Sequence, residues 1–229
     1  MAFGVLYSCS LWALDGFLEP IEEVEISTPE TGVIIKKNIK EGLTVKKGTV
    51  LVELDSSVLR ASLTGTRADY QAKKRKKEEI EKLHKQAIAS TEELQSAETQ
   101  ALIALSQYQT LQRQIDRRQI KSPINGVIIE MTRDVGELVS QTQGPFIKIV
   151  NISKLKLTVY IPYEKTIDLS LKKILPIKIE GIEKQQEGLV SYISPVVDPA
   201  SSTVKVELTI DNANKELRSG VPVAVQFLN

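Results

Sequence analysis

The chain has 229 residues, enough for one large domain or for two or three small ones. Its 30 Lys and Arg residues balance 29 Asp and Glu residues, so no net charge draws it to nucleic acid or to an anionic surface. Cys9 and His84 are the only cysteine and histidine. This excludes an intrachain disulfide, Cys or multi-His metal clusters, and His-dependent catalysis unless His84 is the base.

Residues 1–20 are predicted to form an N-terminal arm or the remnant of an export signal. The stretch 1–17 is apolar, but it has no Lys or Arg. It is also shorter than the roughly 20 apolar residues that a membrane-spanning helix needs. The residues around Cys9 loosely resemble a lipid-attachment box. A signal remnant, a lipid anchor and an arm therefore all stay open.

Residues 26–48 and 120–142 repeat each other at a constant offset. Eight of 23 positions are identical, and the glycines and prolines stay in step. Short β-branched runs alternate with Gly turns in both copies, which is typical of a small β sandwich or barrel. We predict that residues 21–56 and 119–151 are two halves of one split module. Its predicted turn glycines are Gly32, Gly42, Gly126 and Gly136.

The region between the two copies, residues 57–118, is predicted to be a helical hairpin. Between Val58 and Pro123 the only helix breaker is Gly65. We predict antiparallel helices over about residues 57–85 and 91–118, with Ser90 or Thr91 capping the second. Seam residues of the second helix recur every three or four positions, as in a coiled coil: Leu94, Ala97, Ala101, Ala104, Tyr108, Leu111 and Ile115. A weaker seam in the first helix comprises Leu59, Leu63, Tyr70, Ile80 and Leu83.

The basic run at residues 73–77 has two interpretations. It is either a solvated face that pairs with the glutamates following it, or an electrostatic contact with an acidic neighbouring protein. Nucleic acid is excluded as a partner, because neither stacking aromatics nor net basic charge accompanies the run. His84 is predicted to be an exposed polar residue, since a metal site needs further ligands. No motif for catalysis is present, so we predict no enzyme activity and no cofactor.

Residues 152–229 are predicted to form a second, antiparallel β-barrel. Four segments alternate apolar and polar residues as half-buried strands do: 155–161, 188–197, 203–210 and 221–227. One or two helical turns are expected within residues 163–171.

The chain resembles the periplasmic adaptors, or membrane fusion proteins, of the HlyD family over about residues 22–227. The resemblance is carried by the two half-motifs split by a hairpin, by SPINGVI at 122–128, and by ISPVVDPASSTVKVELTIDN at 193–212. It implies a mainly β fold with an inserted α-helical coiled-coil hairpin, a split lipoyl-like (barrel-sandwich hybrid) module and a second β-barrel. A true lipoyl or biotinyl carrier is excluded, because the hairpin replaces the turn that would present its lysine.

The resemblance also implies a function. The chain would be the adaptor that links an inner-membrane transporter, of the RND or ABC type, to an outer-membrane TolC-type channel. It would lie in the periplasm at the inner membrane of a Gram-negative-type envelope, and it would form a homo-oligomeric ring, by resemblance a hexamer. A non-transport envelope scaffold or sensor with the same fold is the alternative.

The hairpin tip is where the family contacts the channel. The efflux branch carries an Arg, Leu, Ser pattern there. Leu83 and Ser90 match its Leu and Ser, whereas Glu79 stands at the Arg position. The predicted channel-contacting residues are therefore Glu79, Leu83, Ile88, Ser90 and Leu94. Glu79 indicates either that the usual charge register with a TolC-type channel is absent or that the partner carries a different charge.

Overall fold

Two β modules and one helical hairpin make up the described part of the chain, residues 13–179 and 186–226 of a computed structural model. Side chains are described over 16–179 and 186–225. The strands are β1 (Ala13–Ile26), β2 (Gly32–Lys37), β3 (Thr44–Val45), β4 (Val50–Leu54), β5 (Gln119–Lys121), β6 (Gly126–Met131), β7 (Leu138–Val139), β8 (Ile147–Pro162), β9 (Ile174–Ile179), β10 (Gln186–Asp198), β11 (Thr203–Asp211) and β12 (Pro222–Gln226). The helices are α1 (Ser57–Lys85), α2 (Thr91–Arg117) and α3 (Tyr163–Thr166).

The two sequence copies build the first module with an internal twofold relation. Gly32 of β2 pairs with Val139 of β7, and the equivalent Gly126 of β6 pairs with Val45 of β3. Matching positions of the copies fill the same core: Ile26 with Ile120, Ile34 with Ile128, and Val45 with Val139. Three of the eight identities between the copies are therefore core positions, which the repeat alone could not distinguish from turn positions.

The second module is a closed six-stranded barrel. Its strands run in the order β1, β12, β9, β10, β11 and β8, and β8 pairs back onto β1. Inward residues alternate along each strand, and Leu157, Ile177 and Val206 are completely buried. Strand β9 was not predicted, although its buried positions alternate. Pro176 within it weakens a sequence-based strand assignment, because proline cannot donate a ladder hydrogen bond.

Strands β1 and β8 belong to both modules, which corrects the predicted N-terminal arm. Residues 13–17 pair with β12, and residues 18–26 pair with β8. Leu18 is buried in the barrel core. Residues 13–20 are therefore barrel strand rather than arm, because the edge of β12 and β8 needs a partner. Residues 1–12, where a signal or lipid anchor was considered, lie outside the described residues.

The hairpin helices begin and end almost where the sequence predicts. Helix α1 covers residues 57–85, as expected, and α2 ends at Arg117, one residue earlier than expected. The bounds follow from local signals: a long stretch without Gly or Pro, and a capping serine at Ser90.

Gly65 offers a direct test of how much the helix contributes to stability. It lies inside α1, and a Cβ added there meets no atom within 4 Å. Gly65→Ala is expected to raise the free energy of unfolding by about 1 kcal/mol, because alanine loses less backbone entropy in a helix. Urea denaturation of the two proteins measures this difference. No change, or a loss of stability, would contradict the expectation.

Candidate functional site

The hairpin projects from the first module on a fixed root. The backbone N–H of Leu54 donates to the carbonyl oxygen of Arg118 at 2.8 Å, and that of Asp55 donates to Val33 at 2.9 Å. The Arg118 guanidinium also donates to the Asp55 carbonyl oxygen. At 1.5 Å per residue, α1 then carries the chain roughly 43 Å away from this root. The tip is therefore the point of the hairpin farthest from the β modules.

The tip is a five-residue connection, residues 86–90, closed mainly by backbone hydrogen bonds. The N–H groups of Ile88 and Ala89 both donate to the carbonyl oxygen of Leu83, at 2.9 and 3.4 Å. Ala87 adopts a left-handed φ of 59° to make this turn. Nδ1 of His84 lies 2.9 Å from the carbonyl oxygen of Ala89, where it donates a hydrogen bond. His84 is therefore a half-buried structural residue of the turn, rather than the exposed one predicted.

Ser90 caps α2 in a reciprocal arrangement with Glu93. The Glu93 N–H donates to Ser90 Oγ at 3.1 Å, and the Ser90 N–H donates to Glu93 Oε2 at 2.8 Å. Ser90 Oγ–H also donates to Glu93 Oε2 at 3.0 Å. The backbone bond from Ser90, with its hydroxyl bond second, lowers the pKa of Glu93 below its ordinary value of 4.5. This capping box orders the tip on the α2 side.

We expect Ser90→Ala to lower the free energy of unfolding at neutral pH by about 1 kcal/mol, because the N3 amide loses its partner. The Glu93 contribution is present above its ordinary pKa and is lost as the pH falls through the lowered one. Of the Glu93 bonds, only the one from the Ser90 hydroxyl is lost in the variant, so the difference between variant and wild type should shrink by a minor part at about pH 3. Chemical denaturation at both pH values measures this, with Ser106→Ala, an exposed serine within α2, as control. A constant difference across pH would contradict it.

The five predicted tip residues separate into two groups. Ile88, Ser90 and Glu79 are exposed, and the Ile88 side chain is 69% accessible. Leu83 and Leu94 are half-buried. Glutamate at positions 83 and 94 would thus disturb helix packing as well as any partner contact. Ile88 is the better probe of tip function, since its side chain is largely free of the fold.

Small residues occupy the most buried positions of the α2 seam. Ala97, Ala101 and Ala104 are the buried residues of α2. The remaining seam residues are half-buried: Leu94, Tyr108, Leu111 and Ile115. Tyr108 stacks on Tyr70 of α1, with ring centroids 5.9 Å apart and planes 11° apart. These residues therefore hold the hairpin together and position its tip.

Two lysines of the basic run lie in the α1 seam, which the sequence interpretation missed. Lys73 and Lys77 are half-buried, and their Nζ atoms reach Gln100 at 3.5 Å and Glu98 at 3.8 Å. Only part of the run is a solvated face. The signal that was missed is their spacing, because Lys73 and Lys77 continue the alternating three- and four-residue spacing of seam positions after Tyr70. A lysine can pack its aliphatic stem along such a seam while its ammonium group reaches a polar partner.

The four predicted turn glycines also separate into two groups. Gly42 and Gly136 lie in turns with φ of 82° and 93°, a backbone region that glycine enters without strain. Gly32 and Gly126 instead begin strands β2 and β6, so the turn prediction is wrong for them. A Cβ on Gly126 would lie 2.5 Å from the carbonyl oxygen of Val150. Glycine is needed there because two backbones approach closely.

Within residues 13–179 and 186–226, no group of three or more His, Cys, Asp or Glu side chains is arranged to hold a metal ion. Over the same residues, no helix has the length and apolar character to cross a membrane. The chemical features of the described site are thus an exposed helical tip, a fixed root and a packed seam.

Two family models match the chain. Residues 25–150 match the barrel-sandwich hybrid domain of YknX, and residues 158–229 match the CusB-like β-barrel domain. The first match covers the split module and the whole hairpin. The second covers most of the closed barrel. Each β module seen in the structure therefore has its own family counterpart.

Similar curated proteins include the nodulation protein NolF of Rhizobium meliloti, 25% identical over 222 residues and 90% of this chain. The efflux pump periplasmic linker BepD of Brucella suis is 24% identical over 241 residues and 90% of this chain. The chain spans 60% of the length of NolF and 59% of that of BepD.

Among solved structures, the fold is similar to a MacA–MexA chimera that carries the Pseudomonas aeruginosa MexA α-hairpin domain. The TM-score is 0.80 at 19% identity, over 96% of this chain and 82% of that one. The order of a split hybrid module, an inserted hairpin and a barrel is thus shared in three dimensions. With both domain models matched in this order, the chain belongs to the membrane fusion protein family.

Proposed function

We propose that the chain is a periplasmic adaptor that links an inner-membrane transporter to an outer-membrane channel. The observation that carries the proposal is the hairpin, which extends an exposed tip roughly 40 Å from a root held by backbone hydrogen bonds. A rigid arm of this kind suits contact at a distance better than chemistry. BepD, a relative over 90% of this chain, is itself described as an efflux pump periplasmic linker.

The proposed partners are a transporter of the RND or ABC type and a TolC-type channel. We place the protein in the periplasm, associated with the inner membrane of a Gram-negative-type envelope. Its role is architectural and involves no catalysis, in keeping with a family of adaptors that are generally not enzymes. The barrel docks on the transporter, and the hairpin tip docks on the channel.

Self-assembly through the first module would place many tips side by side. Val33 of β2 and Leu138 of β7 are paired residues whose side chains are both exposed, and Ile35 is exposed farther along β2. Exposed apolar neighbours of this kind favour contact with another protein surface. We propose lateral packing into a closed ring of six copies. The weak contacts that individual tips make with the channel would then combine into one strong attachment of the whole ring.

The charge at the tip indicates what the channel should present. Glu79 is exposed on α1, where the efflux pattern has Arg. We propose that the matching surface of the channel carries a basic residue near this position. Opposite charge at a rim contact mainly determines which partner is chosen and how fast it binds.

A photoreactive residue at position 88 tests the adaptor proposal in intact cells. Position 88 is preferable to position 90, since Ser90 caps α2 and replacing it would disturb the tip. Capture of an outer-membrane channel supports the adaptor. If the residue captures other copies of this chain and no channel, the protein would instead be an envelope scaffold or sensor. The same residue at position 58, exposed at the hairpin root, is the control and should not capture a channel.

A further inference from the structure

A loop on the barrel exposes large apolar side chains to solvent. It connects α3 to β9 and covers residues 167–173. Ile167 is 71% and Leu171 is 61% accessible. Ile174 and Leu189, paired across β9 and β10, extend the apolar surface along the barrel wall, and both are exposed. Clustered apolar side chains of this size are unfavourable in water, so a binding partner is expected here.

The loop is held in place by hydrogen bonds. The Lys172 N–H donates to the carbonyl oxygen of Val190 at 2.8 Å, and the Val190 N–H donates to Lys173 at 2.9 Å. Lys173 Nζ also donates to the carbonyl oxygen of Asp168 at 3.1 Å. Lys172 has a left-handed φ of 68°, which a residue other than glycine keeps only where its surroundings hold it. Ile167 and Leu171 are therefore presented by a fixed loop.

Three lysines border this apolar surface. Lys172 and Lys173 follow Leu171 directly, and Lys178 lies on the same outward face of β9 as Ile174. None of the three lysines forms an ion pair with a carboxylate in the described residues. Between Tyr163 and Lys178 the chain has four lysines and two acidic residues, and Glu187, opposite Pro176 on β10, adds a third carboxylate on the same outward face as Leu189. Apolar tips beside unpaired lysines match the chemistry of an anionic bilayer surface.

The exposed apolar residues of the first module have different surroundings. Near Val33 and Leu138, Lys37 forms an ion pair with Asp134 at 2.6 Å, and Arg133 forms one with Glu137 at 3.5 Å. Paired charges of both signs suit a protein surface and leave little attraction for lipid phosphates. The barrel loop therefore needs its own explanation.

We infer that this loop docks the barrel on the anionic surface of a lipid bilayer. Ile167 and Leu171 enter the interfacial region, and Lys172, Lys173 and Lys178 bind lipid phosphates. This contact would orient the barrel toward the inner membrane independently of any transporter. Its absence would leave the adaptor proposal untouched, because that proposal rests on the hairpin tip.

Vesicle co-sedimentation with the full chain tests the inference. Wild type should bind phosphatidylcholine vesicles containing about 30% phosphatidylglycerol more strongly than pure phosphatidylcholine vesicles. Changing both Ile167 and Leu171 to Asp should weaken this binding about tenfold or more, since two apolar anchors are lost. The matched control changes Leu102 and Val196, two exposed aliphatic residues elsewhere, to Asp. It adds the same charge and should retain most of the binding.

A second variant separates docking from misfolding. Lys172→Gln with Lys178→Gln leaves the apolar tips in place, and it should weaken binding to the anionic vesicles about fivefold per lysine. Wild type and all variants in this assay share the apolar N-terminal stretch, residues 1–17, so it does not account for a difference in vesicle binding between them. Three results would each overturn the inference: no wild-type binding, equal binding by the Asp variant of the loop, or an equal loss in the control. Capture of a protein through this loop without vesicle binding would also overturn it.

Discussion

Exchanging Ile88 for glutamate is expected to abolish export while leaving the protein as stable as the wild type. The side chain is 69% accessible, and only its backbone N–H bonds to the tip. A buried carboxylate at a helix-to-helix contact would be desolvated without a partner, which opposes docking strongly. In a ring, the same cost recurs at each copy. Export should therefore fall to the level of a strain lacking the chain.

The measurement is the cellular accumulation of a compound that is retained when the chain is deleted. The matched control is Val58→Glu, which also replaces an exposed aliphatic residue, 75% accessible, in the first turn of α1. A carboxylate is favourable at that helix start, so export and stability should both be retained. Wild-type export by the Ile88 variant would remove the tip from the proposed contact. An equal loss in both variants would indicate a general effect of added charge.

Gly126→Ala is expected to destabilise the protein by about 3 kcal/mol, the largest stability effect that we predict. The new Cβ would lie 2.5 Å from the carbonyl oxygen of Val150 and 3.0 Å from its carbonyl carbon. Both atoms belong to the backbone of β8, which pairs with β6 at this point. Relief therefore requires opening the ladder between β6 and β8 in the first module.

Two glycines provide controls for the same substitution. A Cβ on Gly188 would lie 2.3 Å from the end of the Ile177 side chain, which can shift more easily than a backbone carbonyl group, so Gly188→Ala should cost less. Gly65→Ala should stabilise, as described above. Urea denaturation of the three variants measures the order. If Gly126→Ala is as stable as wild type, the close approach of β6 and β8 does not determine the residue at this position.

Local signals account for the part of the fold that the sequence predicts well. The hairpin bounds follow from the absence of breakers and from Ser90, and the alanine seam follows from its spacing. The helix bounds and the seam both depend on residues that lie within one or two helical turns along the chain. The capping box between Ser90 and Glu93 spans only three residues and is likewise legible in the sequence.

Predictions failed where one sequence pattern fits two physical causes. Gly126 looks like a turn residue, but its neighbour across the sheet is Val150, and that contact is set by the pairing of β6 with β8. Lys73 and Lys77 look like part of a solvated run, but both are half-buried and their Nζ atoms reach Gln100 and Glu98 of α2. Leu83 and Leu94 were predicted both as seam residues and as channel contacts, and their half-buried side chains fit the seam.

The sequence by itself determined the repeat, the hairpin, the two β modules and the family. These follow from periodicity and turn chemistry, which act over short distances along the chain. Only the tertiary structure decided that β1 and β8 run through both modules and that residues 13–20 close the barrel. The physical reason is that β1 pairs with strands more than 120 residues away. Such pairing depends on which strand edges remain open after folding, and no local pattern records it.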